Sequence, residues 1–289
     1  MDVSSRIERA LNEAIGRAEV PGCPPRLAAA MRYAVFPRGA RVRPRLVHSV
    51  AAACGEDHPA ATEAAGAALE LLHCASLVHD DLPCFDDAAI RRGQPSVHRA
   101  FGERLAVLAG DALIVLAFQT LARGAVHAPA RLPPLLLTLA GSVGMPNGIA
   151  AGQAWECEPC VDLAQYQRAK TGALFAAATM GGAAAAGAEC AAWRNLGERL
   201  GEAYQVADDI RDVAGDPELL GKPIGRDLAL GRPSAARELG VPGAVHRLEQ
   251  LVAGALGSIP PCPGAAELRA LILLEARRLL PEELSRRAA

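Results

Sequence analysis

His79-Asp80-Asp81-Leu82-Pro83-Cys84-Phe85-Asp86-Asp87 closes a long apolar stretch that reads as helix over roughly residues 58–80. A second acidic run, Asp208-Asp209-Ile210-Arg211-Asp212, lies more than 120 residues later beside another apolar helical stretch. Taking a carboxylate out of water costs several kcal/mol. Two acidic clusters carried on apolar helices therefore call for a strong cationic partner. Mg²⁺ suits them, because it binds one or two carboxylates and completes its shell with substrate phosphates. The two runs imply a metal–diphosphate site between facing helices.

The rest of the chain agrees with an all-α architecture. It is 51% hydrophobic but only 3% aromatic, a profile that favours packed helices over sheets. Helices are expected near 3–19, 25–35, 43–54, 58–80, 103–124, 129–141, 160–187, 190–214, 242–256 and 264–280, with no convincing strand. Breaks fall at Pro21-Gly22, Pro37-Arg38-Gly39, Gly93-Gln94-Pro95, Met145-Pro146-Asn147-Gly148 and Gly221-Lys222-Pro223. No repeat and no long linker divides the 289 residues, so one helical domain spanning 1–289 around a central cavity is expected.

Bulk properties also exclude. A net charge of -2 gives no electrostatic footprint for nucleic acid. Met1 to Arg17 has no signal-peptide core, and the Ala/Gly-rich run from Gly172 to Ala188 is too weakly apolar to span a membrane. A cytoplasmic protein without stable membrane insertion is expected. Of eight cysteines, only Cys157-Glu158-Pro159-Cys160 has redox-like or metal-like spacing, and small thiols in a reducing compartment are the preferred reading.

Within the second run, Asp208 and Asp212 are four apart and share a helix face, with Gln205 a turn before and Asp216 a turn after. Such a stripe repels itself unless a cation intervenes. In the first run Asp80 and Asp86 are too far apart for one turn. Pro83 disfavours helix just before it, so the chain is expected to end its helix near Leu82 and swing Asp86 back toward Asp80. Arg91 and Arg92 follow directly, and planar guanidinium forks grip diphosphates. Only two of thirty basic residues are lysines, Lys170 and Lys222, and both fall beside polar motifs. Arg41, Arg43 and His73 complete the cationic candidates.

Together, Leu77 to Pro83, Asp86-Asp87, Arg91-Arg92-Gly93 and Gln205 to Asp212 resemble the trans-isoprenyl diphosphate synthases (polyprenyl synthetases). Leu108 to Leu113, Gly152-Gln153, Lys170-Thr171-Gly172 and Gly221 to Asp227 support the likeness, which runs from about residue 30 to 240. Within that family the chain is most similar to the bacterial geranylgeranyl diphosphate synthases of carotenoid and bacteriochlorophyll pathways. The resemblance implies the isoprenoid synthase type I fold, a homodimer, and about three Mg²⁺ per active site, with Mn²⁺ as a substitute. It implies Mg²⁺ ligation by Asp80, Asp86, Asp208, Asp81 and Asp212, with Asp209 counted among the catalytic carboxylates. Arg91, Lys170, Thr171, Gln205 and Lys222 would hold an allylic diphosphate of C5 to C15. Arg43, His73 and Arg92 would hold isopentenyl diphosphate. Ala75 and Ser76 would leave the prenyl path open where C15 enzymes carry an aromatic plug, with Leu72 a candidate floor, which favours a C20 product.

Two departures stand out. Ala40 replaces the family's lysine for isopentenyl diphosphate, so that either Arg38 or Arg41 supplies the charge or affinity for that substrate is weaker, and Arg226 replaces a second lysine. Competing readings are a farnesyl diphosphate (C15) synthase, a non-catalytic modulating subunit, a class I terpene cyclase, and a His-Asp phosphohydrolase prompted by His79-Asp80. The cyclase needs no second diphosphate site, and a modulating subunit tends to lose one aspartate motif.

Overall fold

The computed structural model describes residues 2–36, 39–160, 163–214 and 234–279. Helix α1 (Val3–Ala18) starts where Asp2 accepts a hydrogen bond from the Ser5 amide, an N-cap that satisfies one orphan donor. Helices α2 (Pro25–Val35) and α4 (Pro59–Asp80) each begin with proline, whose missing N–H costs nothing in a first turn. Helix α3 (Val42–Ala53) lies between them in sequence. A tiny antiparallel ribbon, β1 (Ile90–Arg91) and β2 (Gln94–Pro95), follows α4 where no strand was expected. Its turn holds Arg92 and Gly93 at φ 53° and 78°, the left-handed pair that a two-residue hairpin requires.

Helices α5 (Val97–Phe101), α6 (Glu103–Gly124), α7 (Leu132–Val143) and α8 (Ile149–Ala154) continue the bundle. The helix expected over 160–187 is divided. A short α9 (Leu163–Gln167) passes into one π turn, Arg168–Gly172, and then α10 (Ala173–Ala185). Helices α11 (Arg194–Ala214), α12 (Ala235–Glu238), α13 (Gly240–Gly257) and α14 (Ala265–Leu279) complete the described chain.

Helices α4 and α10 form the centre, for a reason visible in their sequences. Both are apolar around most of their circumference, so burial on all sides is their stable state. Small residues set how closely their neighbours approach. A Cβ on Gly182 of α10 would lie 2.5 Å from the Val47 carbonyl oxygen of α3. A Cβ on Gly197 of α11 would lie 2.4 Å from Ala176 Cα of α10. The Ala/Gly-rich run is thus a packing surface. Among the described residues α6 alone is long and apolar enough to cross a membrane. One side of it, including Ala109, Leu113, Ala117 and Leu121, is buried in the main core.

Candidate active site

Helix α4 delivers the first acidic motif. It ends at Asp80, and the chain then folds back so that the Asp86 amide donates to the Asp80 carbonyl at 2.9 Å. The return expected at Pro83 is therefore built from backbone hydrogen bonds. Asp80 is 8% exposed, and its carboxyl is raised above the usual range by burial, with Lys170 opposing that shift and Asp86 adding to it. Gln153 of α8 donates to the same carboxylate at 3.3 Å and to the Ser76 carbonyl at 3.1 Å.

Lys170 and Thr171, neighbours in the π turn, reach the first acidic motif and, one turn before the second, Gln205. Lys170 Nζ lies 3.6 Å from Asp80 Oδ1, while Thr171 Oγ1 donates to Gln205 Oε1 on α11 at 3.1 Å. One helical turn thereby ties together segments more than 120 residues apart. A π turn adds a residue to the helix and re-aims its side chains, a feature frequent at functional sites. Gly152 makes it possible: a Cβ there would lie 2.5 Å from the Lys170 amide nitrogen.

Arg91 and Arg92 diverge. Arg91 forms a forked ion pair with Asp81, its Nε at 3.0 Å and its Nη2 closer still. Asp81, expected as a metal ligand, is thus held by a guanidinium and is only 2% exposed. Arg92 turns the other way, toward Glu70 at 3.7 Å, and its guanidinium lies over Gly39, where a Cβ would sit 2.9 Å from Cζ. Beside it, Arg43 Nη1 is 3.3 Å from His73 Nε2 and stacks over Phe175 at 4.9 Å. Burial, with Arg43 and Arg92 adding to it, lowers the His73 pKa well below the usual range, so the ring is neutral. Arg43 Nε and His73 Nδ1 are buried without a hydrogen-bond partner among the described residues. Buried polar atoms are ordinarily hydrogen-bonded. The cluster of Arg43, His73 and Arg92 has the polar groups for an anion.

Other expectations are revised. Arg41 cannot stand in for the missing lysine, because it is 7% exposed and taken up by Glu70 at 2.7 Å, Glu8 at 3.0 Å and the Val35 carbonyl at 2.9 Å. Asp209, counted among the catalytic carboxylates, accepts the Ala235 amide at 2.8 Å and Gln205 Nε2 at 3.1 Å, tying the start of α12 to α11. Asp208 is half-buried with Arg211 at 3.0 Å, and Asp212 is 6% exposed. His79 faces α6, its Nε2 3.2 Å from the Val107 carbonyl, and a Cβ on Gly110 would strike its ring. That orientation removes the histidine a phosphohydrolase reading requires. Leu72, Ala75 and Ser76 are all buried along α4. Arg38, Asp216, Lys222 and Arg226 lie outside the described residues.

Sequence reasoning missed Glu156 and Tyr166. Glu156 accepts from Lys170 and, at 2.6 Å, from the Tyr166 hydroxyl. An acid three residues after Gln153 was the available signal. It also missed Glu70, whose mark was a carboxylate inside an apolar helix, three residues before His73.

No three His, Cys, Asp or Glu side chains converge at metal-binding distance among the described residues. Mg²⁺ needs no such cage, since it retains waters and takes phosphate oxygens. The oxygen-only donors Asp80 and Asp86, one with an elevated pKa, fit that ion.

The polyprenyl synthetase family model matches residues 24–243. A geranylgeranyl diphosphate synthase of Cereibacter sphaeroides is 55% identical over 99% of this chain and 100% of its own length. One from Rhodobacter capsulatus is 53% identical over 97% of each. Among solved structures, a geranyltransferase from Helicobacter pylori complexed with magnesium and isoprenyl diphosphate superposes with a TM-score of 0.78 at 27% identity, covering 96% of this chain and 97% of that one.

Proposed function

The chain belongs to the polyprenyl synthetase family, and we propose that it elongates an allylic diphosphate with isopentenyl diphosphate to give geranylgeranyl diphosphate (C20). The observation that carries this reading is the adjacent pair Lys170 and Thr171, which reaches Asp80 on one side and Gln205 on the other. That arrangement lets both acidic motifs serve a single diphosphate. The names of the relatives favour the C20 product over C15.

In this reading Asp80, Asp86, Asp208 and Asp212 would hold about three Mg²⁺, or Mn²⁺ in their place, against the allylic diphosphate. When bound, the metal supplies Lewis-acid stabilisation of the leaving group. Lys170, Thr171, Arg91 and Lys222 orient that diphosphate and offset the charge that develops on it. Arg43, Arg92 and neutral His73 hold isopentenyl diphosphate, with His73 acting as a hydrogen-bond partner. The apolar faces of α4 and α10 keep water from the allylic cation. The isopentenyl double bond attacks that cation, a carbon–carbon bond forms, and a proton leaves to the released diphosphate.

We also propose one catalytic domain across 1–289, working in the cytoplasm as a homodimer that supplies carotenoid-type pathways. The outward side of α6 supports the dimer: Leu108 is 50% and Val115 58% exposed, seven residues apart on one apolar stripe. A two-fold pairing would cover it.

Incubation with isopentenyl diphosphate and C5, C10 or C15 allylic diphosphates, with products resolved chromatographically, tests the activity. A linear C20 product is expected. A cyclised hydrocarbon, or no elongation by folded protein, would sink the reading. Asp80→Asn and Asp208→Asn should each lower kcat by at least ~10²-fold, and chelation of Mg²⁺ should abolish turnover. Near-normal rates in either variant would displace that residue from the metal site.

A further inference from the structure

We propose that Cys157 and Cys160 form a redox-active dithiol whose oxidation weakens binding of the allylic diphosphate. The activity arm of this inference rests on the function proposed above.

Both thiols are exposed, whereas burial pushes those of Cys54 and Cys74 up to about 11. Thiol–disulfide exchange needs an accessible thiolate, so the C-x-x-C pair is chemically open where the buried cysteines are closed. Position supplies the second argument. Cys157 ends the 3₁₀ turn Trp155–Cys157, whose middle residue is Glu156. Glu156 accepts hydrogen bonds from Lys170 and from Tyr166, and Lys170 lies 3.6 Å from Asp80. The dithiol is therefore one residue from the carboxylate that competes for the active-site lysine.

The co-reactant is a small-molecule disulfide. One cysteine loses its proton, and its thiolate attacks a sulfur of that disulfide and expels a thiolate. The second cysteine then loses its proton and attacks the mixed disulfide, expelling the other thiolate. One S–S bond forms within the chain, the protein loses two electrons, and the co-reactant is reduced to two thiols. Closing the ring between residues 157 and 160 constrains the turn that presents Glu156. Glu156, already bonded to Lys170 while both thiols are free, is then fixed in that position and no longer releases Lys170 to the incoming diphosphate.

The test uses the full-length protein, reduced or treated with glutathione disulfide. Peptide mapping of the oxidised form should find the Cys157–Cys160 disulfide. Oxidation should raise KM for the allylic diphosphate about tenfold, the loss of one charged hydrogen bond, with KM for isopentenyl diphosphate little changed. Cys157→Ser should keep the reduced activity and abolish the response. Glu156→Gln should still form the disulfide yet lose the KM shift. Failure of the disulfide to form, its mapping to exposed Cys84 instead, or its formation with KM unchanged would each overturn the proposal. Because mapping needs no turnover, absence of prenyl transfer in the reduced enzyme would count against the proposed function alone.

Discussion

Arg41 and Ala40 sit side by side with opposite fates. Arg41 is buried against Glu70, Glu8 and the Val35 carbonyl, while Ala40 is exposed. Removing one partner of a buried ion pair costs about 3–5 kcal/mol, since the remaining charge is stranded. Arg41→Ala should therefore lower the denaturant midpoint strongly, and an unchanged midpoint would show that the pair contributes nothing. Ala40→Lys should instead leave stability within about 0.5 kcal/mol and lower KM for isopentenyl diphosphate, read by steady-state kinetics with the allylic substrate saturating. Sequence could flag Arg41 as a cation near the motif. It could not tell a structural cation from a ligand-binding one, because availability depends on Glu8 and Glu70, brought in by other helices.

At the scale of elements, the π turn depends on α8. Gly152→Ala would place a methyl 2.5 Å from backbone of the turn that carries Lys170. Backbone cannot rotate aside as a side chain does, so overpacking of about 1–3 kcal/mol is expected. Turnover should fall more than stability, because the shift lands on Lys170 and Thr171. Equal loss at both would indicate a global packing defect. Helix α3 carries a different burden. His48 is 3% exposed, both ring nitrogens lack partners among the described residues, and burial lowers its pKa to about 4, with Arg6 adding to the shift. Between about 4 and the ordinary 6.5 the unfolded chain binds a proton that the folded chain refuses. Stability is thus complete above 6.5 and lost as pH falls toward 4, by up to ~3 kcal/mol. Urea midpoints measured across that window should slope for the wild type and flatten for His48→Asn. Parallel slopes would remove His48 from the account.

At the scale of the whole molecule, α4, α8, the π turn and α11 all contribute side chains to one site. Product length is a property of that site. Ala75 lies five residues before Asp80, about 7.5 Å along the helix, and is 1% exposed. Ala75→Tyr should shift the main product from C20 to C15 by filling the space of the fourth isoprene unit. A product profile still dominated by C20 would mean that the tail takes another route. Sequence alone determined the all-α class, the long helices outside 160–187 to within a few residues and the two acidic motifs, since apolar periodicity, proline breaks and i, i+4 spacing are local properties of the chain. The short helices α5, α8 and α12 and the π turn inside 160–187 were not legible in the sequence. Its reading of a fold-back at Pro83 was sound for the same reason, as the turn joins residues six apart. Tertiary structure alone decided which polar side chains are available. Asp81 belongs to Arg91, Asp209 to the Ala235 amide, and Arg41 to Glu70, while Glu156 enters the site unannounced. Those outcomes depend on burial and on partners distant in sequence, and the cost of an unpaired buried charge makes them binding once the helices meet.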